Sequence, residues 1–235
     1  MAKKTPGKLN KPPPQAEFDQ LNLEALCGEE DGIYYRLHSI DGKTGTPWPP
    51  LHFSKRGTTR FDPSDGVGTL YLAQSLQGAL MEIFDDRWGA VGDPGRSITL
   101  RELREWRVTI MNPPKVKLFD ATGQNLSKIG TDGQLLTGDY SVTLEWAKRL
   151  MMHPHAIDGI RFRSRHDLDL INIALFDRAG RFPPLLDVGL HESSKGKWKR
   201  SSPHGSALVH GPSIELRSHP AVNEALVRLQ VAVLP

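Results

Sequence analysis

Cysteine occurs once in the 235 residues, as Cys27. One thiol cannot close an internal disulfide or build a Cys-rich zinc site, and a reducing cytoplasm is the expected location. Long apolar runs are missing too. No stretch approaches the roughly 18 residues of a membrane-spanning helix, and the N-terminus lacks the apolar core of a secretory signal, so no membrane association is expected. Charge of one sign is scarce: 30 Lys and Arg stand against 27 Asp and Glu, a net +3. That surplus is too small to predict direct nucleic-acid binding.

The familiar cofactor motifs fail as well. Gly42-Lys43-Thr44 has the end of a phosphate loop, but Leu37 stands where its first glycine belongs. Gly66-Val67-Gly68 precedes a strand instead of following one, and Tyr71 occupies the third glycine position of a dinucleotide fingerprint. His153-Pro154-His155 has neither the HExxH spacing nor a fixed third ligand, so no metal site is expected. A G-x-S-x-G nucleophile elbow is absent.

What is present reads as one α+β domain behind a tail. Residues 1–18 combine Lys and Gly with Pro12-Pro13-Pro14 and are expected to be flexible. The domain is expected over 19–235, with no internal repeat. A short helix is predicted at 21–28, strands at 33–39 and 69–73, and a helix from a Ser75 cap to about Trp88. Further strands are predicted at 106–111, 115–120, 159–164 and 170–177, with helices at 141–152 and from Ser218 to Leu229. Residues 41–68 are punctuated by Gly and Pro, and 191–206 are polar and basic; both read as loops.

Five residues stand in order through this scaffold: Arg36 in YYRLHS, Arg60 in TTRFDP, Tyr71 in TLYLA, Glu82 in ALMEIF and Ser164 in GIRFRS. Eleven residues separate Arg60 from Tyr71, and eleven more separate Tyr71 from Glu82. With the later blocks GDYSVTLEWAKRL, DGIRFRSRHD and INIALFDR, the series resembles the RES domain family over about residues 33–180, leaving 181–235 as a C-terminal extension. The separation of Glu82 from Ser164 is longer than expected for compact members.

The resemblance implies a fold similar to ADP-ribosyltransferases, a mixed β-sheet core with flanking helices. It also implies cleavage of the nicotinamide–ribose bond of NAD, with phosphorolysis to ADP-ribose-1″-phosphate described for the family. NAD is then the substrate, phosphate the co-substrate, and no prosthetic group is required. Hydrolysis to ADP-ribose and transfer of ADP-ribose to a protein are alternatives that share the same activated ribose. Many members are toxins paired with an Xre-type antitoxin, and homodimerisation is a family-based expectation.

In this framework Glu82 stabilises the cationic ribose that forms as nicotinamide departs, while Arg36 and Arg60 hold the two phosphates. Tyr71 stacks on nicotinamide or ribose while its hydroxyl makes a directed hydrogen bond, Ser164 hydrogen-bonds the ligand, and Arg60 and Tyr71 stand with Glu82 as the catalytic residues. Residue pattern alone leaves blander roles open: Glu82 as a solvated helix residue, the arginines in surface ion pairs, Tyr71 as packing and Ser164 as a backbone cap. Asn172 and Trp146 are secondary candidates with structural roles favoured. A reading from another class makes the scaffold a non-catalytic binding module using Lys195, Lys197, Trp198, Lys199 and Arg200.

Overall fold

Strand TLYLA sends alternate side chains to opposite faces, and in the computed structural model this alternation divides the protein's cores. The structure describes residues 9–30, 32–63, 66–178, 190–192, 198–200 and 208–235. Its strands are β1 (Cys27–Glu30), β2 (Tyr34–Ser39), β3 (Thr69–Ala73), β4 (Ser97–Thr99), β5 (Trp106–Asn112), β6 (Val116–Asp120), β7 (Gly159–Arg163), β8 (Ile171–Phe176), β9 (Leu190–Glu192), β10 (Trp198–Arg200), β11 (Val209–Glu215) and β12 (Ala232–Leu234). Eight of them form one sheet in the order β1, β6, β7, β8, β3, β2, β5, β11. Only β6 and β7 pair in parallel within that sheet, so it is mixed.

The helices are α1 (Gln15–Phe18), α2 (Leu76–Phe84), α3 (Leu100–Arg104), α4 (Asn125–Lys128), α5 (Gln134–Thr137), α6 (Tyr140–Met152) and α7 (Val222–Arg228). The parallel step from β6 to β7 needs a long crossover, and α4, α5 and α6 occupy it. On β3, Leu70 and Leu72 enter a core with Tyr34, Met111, Ile173 and Leu175. Tyr71 and Ala73 alternate with them. Tyr71 packs on a cluster that includes Phe61, Phe119, Trp146 and Phe162, whereas Ala73 belongs to one that includes Leu80, Phe84, Val108 and Leu226. Two separate cores thus flank β3, one built with α6 and the other with α2 and α7.

The mixed sheet with flanking helices agrees with the α+β expectation. Local differences have physical causes. The predicted helix at 21–28 is a 3-10 turn, Glu24–Leu26, running into β1, because Cys27–Glu30 pairs with β6. The predicted tail is ordered over residues 9–18: Leu9 and Phe18 are buried, and backbone carbonyls of the arm receive side-chain donors from α6. Residues 1–8 lie outside the described residues. Within the predicted loop 191–206, β9 and β10 pair antiparallel; Lys195 and Lys197 lie outside the described residues. The C-terminal region adds β11 to the main sheet and pairs β12 with β4. Among the described residues no helix is long and apolar enough to cross a membrane.

Candidate active site

A cavity of about 350 Å³ is lined by Arg36, Arg60, Tyr71, Glu82, Tyr140 and Asn172, among others. Its size falls in the range of small-molecule sites, about 300–1,000 Å³. Helix α2 builds one wall. Ser75 caps it by accepting the Gly78 N–H at 3.0 Å. Leu76, Leu80 and Phe84 are buried in the core, which leaves Ala79, Glu82, Ile83 and Asp86 as a stripe along the cavity. Their spacing is helical, one residue at each of i, i+3, i+4 and i+7.

Glu82 is solvent-accessible, yet its carboxylate is held. Asn172 on β8 donates from Nδ2 to Glu82 Oε1 at 2.7 Å. Asn172 is itself buried, and its Oδ1 has no hydrogen-bond partner among the described residues. The approach of helix to strand at this point depends on Gly78, where a β-carbon would lie 3.2 Å from Asn172 Oδ1. Asn172 therefore does more than pack: it fixes the direction of the only side chain in the predicted set that carries negative charge.

The two arginines lie on the cavity without carboxylate partners among the described residues. Arg36 donates from Nη1 to the Tyr71 carbonyl at 3.3 Å and from Nη2 to the His52 carbonyl at 3.0 Å. Its Nε is buried without a partner among the described residues, and burial lowers the guanidinium pKa to about 10, so it remains charged at neutral pH. Arg60 donates to the Gly138 carbonyl at 3.0 Å and lies 4.5 Å from the centre of the Tyr140 ring. Burial lowers its pKa as well. Carbonyl dipoles and an aromatic face orient both cations without neutralising them, an arrangement suited to an anionic ligand.

Tyr71 forms the floor beside Phe162, with ring centres 6.3 Å apart in an edge contact. Its hydroxyl accepts the backbone N–H of Phe61 at 2.7 Å, next to Arg60 in sequence. Burial pushes the phenol pKa upward, so Tyr71 stays protonated.

Ser164, expected to hydrogen-bond the ligand, stands apart from the cavity lining. It is fully buried on the turn after β7, is not among the cavity-lining residues, and its Oγ accepts the His166 N–H at 3.3 Å. The serine shapes the turn that delivers Arg165 and His166 to the cavity. Arg165 Nη2 contacts both Asp86 carboxylate oxygens at 2.7 Å, and His166 Nδ1 lies 2.7 Å from Asp85 Oδ2. Sequence reading missed this group and Tyr140. Asp86 follows Glu82 by one helical turn, Arg165 and His166 follow Ser164 directly, and Tyr140 lies inside GDYSVT. Trp146 is buried and is not among the cavity-lining residues.

A chain of the crystal structure of the M. tuberculosis MbcT-MbcA toxin-antitoxin complex matches with a TM-score of 0.55 and 14% identity, over 85% of the present chain and 92% of that chain. At that identity the likeness concerns the fold. No curated protein shares detectable sequence similarity with the chain. The RES domain model matches residues 33–191, which carry Arg36, Arg60, Tyr71, Glu82 and Asn172 around one cavity. By that match the chain belongs to the RES domain family.

Proposed function

We propose that the protein consumes NAD by breaking the bond between nicotinamide and ribose, with inorganic phosphate as acceptor. The carrying observation is one cavity that joins a hydrogen-bonded carboxylate, Glu82, to two cations without carboxylate partners among the described residues, Arg36 and Arg60. NAD carries the matching charges: a diphosphate for the arginines and, as the bond breaks, a cationic ribose for the carboxylate.

In this mechanism the bond electrons leave with the nicotinamide nitrogen, which becomes neutral, and C1 of the ribose becomes oxocarbenium-like. Glu82, directed by Asn172, stabilises that charge where it develops. Arg36 and Arg60 orient the diphosphate and oppose its loss. A phosphate oxygen then bonds to C1, and the acceptor's proton passes to solvent. Tyr71 supplies a ring surface; its hydroxyl is engaged by Phe61.

The biological reading is the toxin of a toxin–antitoxin pair. Membership of the RES family supports it, as does the fold shared with a chain of a toxin–antitoxin complex. An Xre-type antitoxin is the proposed protein partner.

The test follows NAD and its products by liquid chromatography and mass spectrometry, with and without phosphate, for wild type and Glu82→Gln. Phosphate-dependent formation of ADP-ribose-1″-phosphate by wild type, reduced at least about 100-fold in the variant, is expected. Phosphate-independent ADP-ribose would replace phosphorolysis by hydrolysis, and ADP-ribosylated protein would make the enzyme a transferase. Intact NAD throughout would overturn the enzymatic reading. Growth arrest on expression of wild type but not Glu82→Gln tests the toxin role.

A further inference from the structure

Residues 9–18 lie outside the stretch that matches the family model, yet they are fastened along α6. Leu9 and Phe18 anchor the two ends, at 5% and 0% exposure. Between them Trp146 donates its indole N–H to the Asn10 carbonyl at 2.8 Å, and Arg149 donates from Nε to the Pro13 carbonyl at 3.0 Å. Phe18 meets the Trp146 ring edge-on, with centres 6.0 Å apart. The Pro-rich composition that argued for a tail instead gives an extended segment with carbonyls free to accept these donors.

The N-terminal anchor reaches the cavity through one glycine. A β-carbon on Gly138 would lie 3.3 Å from the Leu9 side chain and 2.6 Å from the Gln134 carbonyl oxygen, so this turn is pressed between arm and α5. The Gly138 carbonyl receives Arg60, and two residues later Tyr140 places its ring against the same guanidinium. Arm, turn and cation are consecutive contacts.

We infer that Leu9 is a positioning residue for Arg60: the arm fixes the Gly138–Tyr140 turn, and through it the affinity of the cavity for an anionic ligand. The identity of that ligand as NAD rests on the function proposed above. The arm touches the cavity wall from behind and reaches no reacting atom, so its effect falls on binding more than on turnover.

The test uses the full chain with Leu9→Ala, Trp146→Phe and, as a matched loss of packing elsewhere, Val231→Ala, a buried position in the core built with α2 and α7. Expected is a rise in KM for NAD of about fivefold or more in the first two, with kcat within about twofold and KM unchanged in Val231→Ala. Amide hydrogen exchange of unliganded protein over residues 137–143 supplies a second readout, faster in Leu9→Ala and unchanged in Val231→Ala. Unchanged KM in Leu9→Ala, with a melting temperature lowered as in Val231→Ala, would overturn the inference and leave the arm a stabilising strap only. Should wild type neither bind nor cleave NAD, the functional reading fails and exchange decides alone: selective loosening of 137–143 supports the positioning role, and uniform exchange refutes it.

Discussion

Tyr71→Phe separates a chemical role for the tyrosine from an architectural one. Phe61 is fully buried and gives its N–H to the Tyr71 hydroxyl at 2.7 Å, so the substitution leaves a buried amide without that acceptor. Such a loss costs about 1–3 kcal/mol. In a chain of this size each kcal/mol lowers the melting temperature by about 2–4 °C, which places the expected fall at about 2–12 °C. The ring survives, and with it the edge contact to Phe162 and the floor of the cavity. Arg60 precedes Phe61, so release of this amide also loosens the arginine, and KM for NAD should rise several-fold while kcat changes little. The pH profile should not move, because burial raises the phenol pKa and keeps the hydroxyl protonated across the usable range. Differential scanning fluorimetry and initial-rate kinetics measure both effects. A fall in kcat of about 100-fold or more with an unchanged melting temperature would refute the reasoning and put the hydroxyl on the reacting atoms.

Asn172→Ala removes the donor to Glu82 and should lower kcat about tenfold with KM nearly kept. Asn172→Asp puts two carboxylates together where both cannot readily ionise, so its rate optimum should move upward by about one pH unit or more; superimposable pH profiles for the two variants would show that the contact is not used. His38 provides a prediction for stability. It is buried beside Thr109 Oγ1 at 2.9 Å, and burial, followed by the charge of Arg36, lowers its pKa from 6.5 to about 4. The unfolded chain therefore binds the extra proton first, and this contribution to stability is intact above pH 6.5 and is lost as pH falls toward 4. His38→Gln should flatten that loss, amounting to about 2–3 kcal/mol in urea titrations compared at pH 7 and pH 4.5, and an unchanged slope would assign the acid sensitivity to other groups.

Legibility from sequence followed the range of the interactions. The series Arg60, Tyr71 and Glu82 is legible through its resemblance to the RES family, while the local pattern supplies only the scaffold of loop, strand and helix within 23 residues, with the Ser75 cap where the helix begins. Asn172 stands in the sequence only as a secondary candidate: its significance lies in a contact with Glu82 across 90 residues, for which periodicity holds no record. Ser164 stands one step from the cavity lining, and a small hydroxyl at a strand end can satisfy the local chain as readily as a ligand; here it takes the His166 N–H and the neighbouring Arg165 and His166 reach the cavity. The arm was misread for the same reason that β11 and β12 went unseen. Composition reports whether a segment can build its own core, whereas Leu9 and Phe18 use one built by α6, and β11 completes a sheet already formed by β5. A Pro-rich stretch with two large apolar residues nine positions apart has no pattern of its own, and acquires one only against the indole of Trp146 and the guanidinium of Arg149. Physical reading of such segments must therefore begin with the donors that an adjoining helix leaves unpaired and ask which extended chain could accept them.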